Sequence, residues 1–291
     1  MKILISGATG FVGKNLVRAL LEEGHEVCAL VRESSDIKII GNTRSFIFTT
    51  IENLQEFLQK ERFEGIVHLA TLFLGQHTSK DVPNLINSNI LLGASILEAA
   101  SKTNVAWLLN TSTPAQHYLN KAYSPVNLYA ATKQAFEDIA RYYIETSNLT
   151  VTTLELPDTF GSGDTRSKLF NIWLRASRTG ETLDFPPGKQ IVDITHIDNV
   201  TSAYVQLVNL LSKDSKKLLN GKRFSLYSTK RFTLKKLASI FEKASGKKLN
   251  IRWGASNYRA REIMSSWNKG VEIPGFKNKV SLEDGIKKLY E

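Results

Sequence analysis

The chain has 291 residues, 42% hydrophobic and 23% charged, with a formal net charge of +10. That balance suits one large core or two unequal domains and excludes a disordered chain. The single cysteine excludes an intrachain disulfide; Cys28 lies within "EVCALV" and reads as a small buried hydrophobe.

No apolar stretch approaches the roughly 20 residues a membrane span requires, and the apolar run in "MKILISGATG" is too short for a signal peptide. A soluble cytoplasmic protein with no membrane partner is expected. The positive charge points to anionic partners. Lysines and arginines are scattered, and the denser runs between residues 213 and 248 read as solvated faces. No basic motif interleaved with aromatics is present, so nucleic acid is not an expected partner and small phosphorylated molecules are.

In chain order, short Val/Ile/Leu-rich runs alternate with amphipathic segments: "KILIS", 11–23, "EVCALV", "GIVHLA", 84–101, "VAWLLN", 128–146 and "VTTLEL". This alternation predicts βαβ units, hence an α/β fold with a doubly wound parallel sheet of Rossmann type. After residue 157 the rhythm changes. "PDTFGSGDTR" reads as loop, "FNIWLRASRTG" as helix, "LDFPPGKQ" as turn-rich, and "THIDNVTSAYVQLVNLL" as a long helix with apolar residues three and four apart. "RFSLYS" and "LNIRW" read as strands, "TLKKLASIFEKASG" as a helix begun by Thr233 and stopped by Gly246, and Ser281 opens the last helix. The expected plan is a nucleotide-binding domain of residues 1–157 plus about 193–220, and a smaller substrate domain of 158–192 and 221–291.

The first strand runs into "SGATGFVG" and then a helix. Gly7, Gly10 and Gly13 suit a tight turn, close approach of backbone to a pyrophosphate and close helix packing, and the helix N-terminus offers free N–H groups to phosphate. Val12, Leu16, Val17, Leu20 and Leu21 share one face of that helix. NAD-binding folds place an acid about 20 residues past the loop to hold the ribose hydroxyls. Here the second strand ends in Arg32, which would pair with the 2′-phosphate of NADP, with Ser34 or Ser35 as helpers. NADP(H) is therefore the expected cofactor, and Glu33 is the competing residue that could hold an NAD ribose instead.

Of the nine tyrosines, only Tyr129 has a lysine four positions on, in "YAATK". Any helix brings such a pair onto one face, so the spacing means little alone. The pair, however, opens the helix after "VAWLLN", and Thr111, Ser112 and Thr113 stand at that strand's carboxyl end, where doubly wound folds bind ligands.

Together, "GATGFVG", "VHLAT", Asn89 in "NSNILLGASILEAA", "NTST", "YAATK", "FGSGDTR" and "GKQIVDITHIDNV" resemble the extended short-chain dehydrogenase/reductases, the NAD-dependent epimerase/dehydratase family, that act on nucleotide sugars. The pattern of "VHLATLFLGQHTS" and of residues 258 to 286 is most similar to the 4-keto-6-deoxy nucleotide-sugar reductases of the abequose, paratose and 6-deoxyheptose type. The resemblance implies that Tyr129 gives a proton to a substrate carbonyl oxygen and that Lys133 lowers the tyrosine pKa and holds the nicotinamide ribose. Thr111, or Ser112 if the loop is shifted by one residue, would hydrogen-bond the same oxygen. It extends the cofactor site to Thr9, Phe11, Val12, Leu69, Ala70 and Thr71.

Family members that remove water carry an Asp and a Glu after the threonine; Ser112 and Thr113 stand there, so dehydration is not expected. The resulting expectation is NADPH-dependent reduction of a C4 ketone on a CDP- or GDP-linked 4-keto-6-deoxy sugar in surface-polysaccharide synthesis. A 4-epimerase with tightly bound NAD and a non-catalytic NADP-binding module are the alternatives. Thr113, Lys168, Arg259 and Arg261 are the candidate substrate contacts, the arginines for the diphosphate, while Lys168 and Arg175 also suit a solvated helix face. Many relatives have an arginine where Val192 stands. His68 and His196 read as packed side chains with no partners at metal-ligand spacing, so no metal is expected. Asn89 reads as a structural residue, with a proton relay as its alternative. A homodimer through the Tyr129 helix and its predecessor, common in the family, is a partner the resemblance implies.

Overall fold

The computed structural model describes residues 1–228 and 230–291, with Asp214, Ser215 and Lys216, part of the basic run noted above, described in their backbone only. The first half follows the expected alternation: β1 (Lys2–Ser6), α1 (Phe11–Glu22), β2 (Glu26–Val31), β3 (Arg44–Ile47), α2 (Ile51–Glu61) and β4 (Gly65–His68). Next come α3 (Val82–Ile86), a π-helical turn at Asn87–Leu91, α4 (Leu92–Ser101), β5 (Trp107–Ser112), α5 (Leu128–Thr146) and β6 (Thr150–Glu155). The pair β3 and α2 was not evident in the sequence. β3 is a four-residue edge strand with no buried side chain, and the apolar run at its end, Phe46, Ile47 and Phe48, is shorter than those of its neighbours.

Seven strands form one parallel sheet in the order β11, β6, β5, β4, β1, β2, β3, where β11 is Arg223–Ser225. Strand order reverses between β1 and β4, so a crevice opens outside their carboxyl ends. Side-chain alternation divides the sheet's two faces. Ile3, Ile5, Val67 and Leu109 pack on one face with α1 and with α7 (Ile197–Leu211). Leu4, Ile66 and Leu108 pack on the other with α2, α4 and α5.

The remaining elements are β7 (Asp158–Phe160), α6 (Leu169–Thr179), β8 (Thr182–Phe185), β9 (Ile191–Val192), β10 (Ile194–His196), β12 (Phe232–Thr233), α8 (Leu234–Ser245), β13 (Asn250–Trp253) and α9 (Leu282–Lys287). They contribute most of a third apolar cluster around Phe160, Phe170, Trp173, Leu237 and Phe241. Three stretches differ from their sequence reading. "PDTF" contains β7, which pairs with β10; "LDF" belongs to β8, which pairs with β13; and Thr195–His196 are strand, the helix starting at Ile197. Each is a pairing between segments remote in sequence, which local propensity does not record. Among the described residues no helix is long and apolar enough to cross a membrane.

Candidate active site

The glycine loop is shaped by its contacts. Gly7 has φ +75°, and a Cβ there would lie 2.6 Å from the Ala70 nitrogen, so β1 and β4 close on each other where only glycine fits. A Cβ on Gly13 would lie 2.1 Å from the Gly7 carbonyl oxygen, which draws α1 against the turn. Gly10 is exposed and starts α1 with no side-chain cap, leaving the first N–H groups of that helix without an intrahelical acceptor. This is a cradle for an anion. The "FGSGDTR" segment closes on the same helix: Lys14 Nζ donates to the Gly163 carbonyl at 2.7 Å, and the Arg166 guanidinium lies 4.6 Å from the Phe11 ring centroid. Thr9 and Val12 are half-buried in this turn.

At the end of β4, Ser6 Oγ and His68 Nδ1 lie 2.7 Å apart. Burial, reinforced by the Lys133 charge, pushes the His68 imidazole down to about 3, so it is neutral. Leu69 N donates to the Ser6 carbonyl, which sets the course of residues 69 to 71 past the glycine loop. Asn89, fully buried in the π-helical turn, then pins that segment. Its Oδ1 accepts from Thr71 Oγ1 (2.9 Å) and Leu72 N (2.7 Å), while its Nδ2 donates to the Leu72 carbonyl (3.0 Å) and Thr132 Oγ1 (2.9 Å). All four hydrogen-bonding capacities of the amide are filled within the protein, which is the arrangement of a structural residue.

Asn127 caps α5 by accepting from Ala130 N at 3.0 Å, and the first turns of this helix bring Tyr129 and Lys133 into the interior. Burial raises the Tyr129 phenol to about 12; the Thr71 and Thr113 hydroxyls beside it act to lower it, and the Asp158 charge to raise it. Lys133 is 2% exposed and makes no hydrogen bond to protein among the described residues. Burial lowers its pKa to about 8 against an upward pull from Glu137. The expected lowering of the tyrosine pKa by Lys133 is thus not what governs this phenol: desolvation does, and it keeps the phenol protonated.

Neither hydroxyl expected to pair with Tyr129 faces it. Thr111 Oγ1 is bonded to Tyr204 on α7 at 2.6 Å. Ser112 points to the opposite face, to Gln116 and Glu137. Because strand residues alternate, Ser112 turns toward α5, while Thr111 shares its face with Leu109 and packs toward α7. The chain leaves the strand at Thr113, and its hydroxyl is the one beside the phenol. The two residues after Thr113 are Pro114 and Ala115, so no carboxylate follows this hydroxyl either.

The other candidates lie farther out. Arg32 is exposed at the end of β2 without an ion pair among the described residues; Ser35 Oγ accepts from its backbone N–H at 3.1 Å, and Glu33 beside it is also exposed. Lys168 is bound to Asp158 at 3.2 Å and lies 3.8 Å from the Phe73 ring centroid. Arg259 pairs loosely with Glu262 at 3.8 Å and passes near Gly75. Arg261 donates to Ser124 Oγ at 2.8 Å and stacks on Tyr118, so its guanidinium is engaged within the protein. Arg175 pairs with Glu181 on the surface. Val192 pairs with Phe232; the preceding Arg231 is held by Asp193 at 2.7 Å. No group of three or more metal-ligating side chains occurs among the described residues. Sequence reasoning missed Phe73, whose ring meets Tyr129 edge-on with centroids 4.9 Å apart; it lies within "VHLATLFLGQHTS", but no spacing in that segment ties it to Tyr129.

A glycine turn at the sheet's switch point, a buried Tyr and Lys one helical turn apart, and hydroxyls at the end of β5 define a dinucleotide-type site. Residues 3–220 match the profile of the NAD dependent epimerase/dehydratase family, and the chain belongs to that family. A CDP-abequose synthase of Salmonella muenchen is 26% identical over 294 residues, covering 99% of this chain and 96% of that protein. One of Yersinia pseudotuberculosis is 24% identical over 266 residues, covering 91% of each. Among solved structures, the UDP-glucuronic acid 4-epimerase from Bacillus cereus in complex with UDP-glucuronic acid and NAD shares the fold. Its TM-score is 0.84 at 22% identity, covering 100% of this chain and 98% of that chain.

Proposed function

We propose that this protein is an NADPH-dependent reductase of the C4 ketone of a nucleotide-linked 4-keto-6-deoxy sugar, with CDP or GDP as carrier, serving deoxy-sugar and surface-polysaccharide synthesis. The observation that carries it is the buried phenol of Tyr129, held protonated beside the Thr71 and Thr113 hydroxyls and one turn from the buried Lys133, which makes no hydrogen bond to the described residues. A protonated phenol in a dry site is a proton donor, and a ketone being reduced needs one at its oxygen. The cofactor, when bound, supplies the hydride.

In this reading Tyr129 donates its proton to the ketone oxygen, and Thr113, in place of Thr111 or Ser112, donates a hydrogen bond to the same atom. Lys133, which has no protein acceptor among the described residues, holds the ribose hydroxyls. The uncapped start of α1, with Gly7, Thr9, Gly10, Phe11, Val12 and Gly13, takes the pyrophosphate, and Leu69, Ala70 and Thr71 wall the nicotinamide side. Arg32 is free to pair with a 2′-phosphate. Residues 1–157 with about 193–220 form the cofactor unit. Residues 158–192 and 221–291 form the sugar-nucleotide unit, where Arg259 is a freer diphosphate ligand than Arg261. Exposed Leu91 and Tyr142 lie on the α4 and α5 side, where a homodimer would form.

The names of the CDP-abequose synthases support the deoxy-sugar assignment. Glu33, exposed beside Arg32, favours a second reading, a 4-epimerase retaining NAD. The test is loss of NADPH absorbance with 4-keto-6-deoxy sugars carried on CDP, GDP, UDP or dTDP, with NADH in parallel. Oxidation of NADPH with one carrier preferred supports the reductase. Copurifying NAD, with no net NADPH oxidation and interconversion of 4-epimers, sinks it in favour of the epimerase.

A further inference from the structure

Phe73 is an exposed aromatic whose position is nonetheless fixed. It is 47% exposed, yet the Tyr129 ring meets it edge-on at 4.9 Å and 77°, and the Lys168 ammonium sits 3.8 Å from its centroid, anchored by Asp158. The backbone on either side is tied down as well. Asn89 bonds both the N–H and the carbonyl of Leu72, and the Asn127 amide donates to the carbonyls of Leu74 (3.5 Å) and Gly75 (3.3 Å). Asn127 is also the cap of the helix that carries Tyr129, so the ring and the phenol share one frame.

The groups around the phenol are of three kinds, the third being the Asp158 carboxylate paired with Lys168. Thr71 and Thr113 offer hydroxyls. Phe73 offers only carbon, and apolar surface of that size gains from being covered. A sugar whose C4 oxygen meets Tyr129 brings the groups next to C4 against these walls. Only C5 separates C4 from C6. A methyl at C6 would gain contact with the ring, whereas a hydroxymethyl would bring a hydroxyl that the ring cannot bond and that must compete with Asp158 for the Lys168 ammonium.

We propose that Phe73, held in place by Lys168, is the apolar contact for the C6 methyl and so selects 6-deoxy sugars over their 6-hydroxy counterparts. This rests on the site being that of a 4-keto-sugar reductase.

The test is calorimetric binding, with NADPH present, of two sugars on the same nucleoside diphosphate that differ only at C6, a 6-deoxyhexose and the corresponding hexose. It is run with CDP, GDP, UDP and dTDP as carriers. The wild type is expected to prefer the 6-deoxy sugar by about tenfold. Phe73→Leu should keep that preference, and Phe73→Asn should bring the ratio close to unity with an unchanged melting temperature. A wild-type ratio near unity overturns the role of Phe73 and leaves the reductase reading standing. So does a ratio that Phe73→Asn fails to move. Failure of both sugars to bind on every carrier overturns the sugar-nucleotide reading and this inference with it.

Discussion

At the residue scale, Thr111 and Thr113 separate two roles that the sequence left together. Thr111 satisfies the buried Tyr204 hydroxyl, whereas Thr113 stands beside Tyr129. Thr113→Val is expected to lower turnover by about 100-fold, the scale of losing one donor to a developing oxyanion. Thr111→Val should cost about 1–2 kcal/mol in denaturant unfolding by orphaning the Tyr204 hydroxyl, with turnover little changed. Equal losses of turnover in the two variants would refute the assignment. Lys133 gives a pH-dependent outcome. Its pKa is lowered by burial from 10.5 to about 8, so below pH 8 the folded protein carries a buried charge that the unfolded chain solvates. The penalty fades as pH rises to the unfolded value, above which both states are neutral. Without cofactor, Lys133→Met should therefore be the more stable protein at pH 7, by up to about 3 kcal/mol. Its advantage should shrink toward zero near pH 10, read from urea midpoints across that range.

At the element scale, the break between α3 and α4 serves the site. The single helix expected over 84–101 gives way to a π-helical turn at Asn87–Leu91, where Asn89 holds the 71–72 segment and Thr132 together. Asn89→Leu removes every one of these bonds and leaves buried partners unpaired. The expected cost is about 3 kcal/mol in chemical denaturation, with turnover reduced as Thr71 and Phe73 lose their anchor. An unchanged midpoint would mean that other contacts hold this segment. A single helix is a fair reading of the apolar spacing across 84–101, because a π turn adds one residue per turn without altering residue type. The long helix of Tyr129 was easier to read, since Asn127, the apolar stripe and the adjoining strand all agree.

Across the whole molecule, a buried polar cluster ties the end of the sheet to the segment after Thr113. Arg223 on β11 bonds Glu155 on β6 (2.7 Å) and Glu137 on α5 (3.0 Å), and Glu155 also meets His117 at 2.7 Å and Ser225. Trp267 stacks on His117 at 3.9 Å. Burial alone would raise the Glu155 carboxyl; the bonds from His117 and Ser225 and the Arg223 charge outweigh it and hold its pKa below the ordinary value. The stability it contributes is therefore present above the unfolded carboxyl pKa and lost as pH falls through the folded one. Arg223→Met leaves two carboxylates without their shared cation and is expected to cost about 3 kcal/mol at pH 7. The gap to wild type should narrow as pH falls below the ordinary glutamate value of 4.5 and Glu155 protonates, and denaturation at pH 7 and at about pH 3.5 checks this. Apart from Arg223 and Ser225 on one strand, these partners lie far apart in sequence, so nothing short of the fold announces the cluster.

The sequence by itself determined what has a short period or a local cause. Alternating strands and amphipathic segments specified the doubly wound sheet, the glycines marked the turn that only they can occupy, and a four-residue spacing put Tyr129 and Lys133 on one face of a helix. Only the tertiary structure decided which of three consecutive hydroxyls meets Tyr129, because that depends on where β5 ends relative to α5 and α7. It also decided that Arg261 is engaged by Tyr118 and Ser124 while Phe73 is brought to the phenol. These outcomes depend on contacts between segments far apart along the chain, and such contacts leave no periodic trace in the residues that make them.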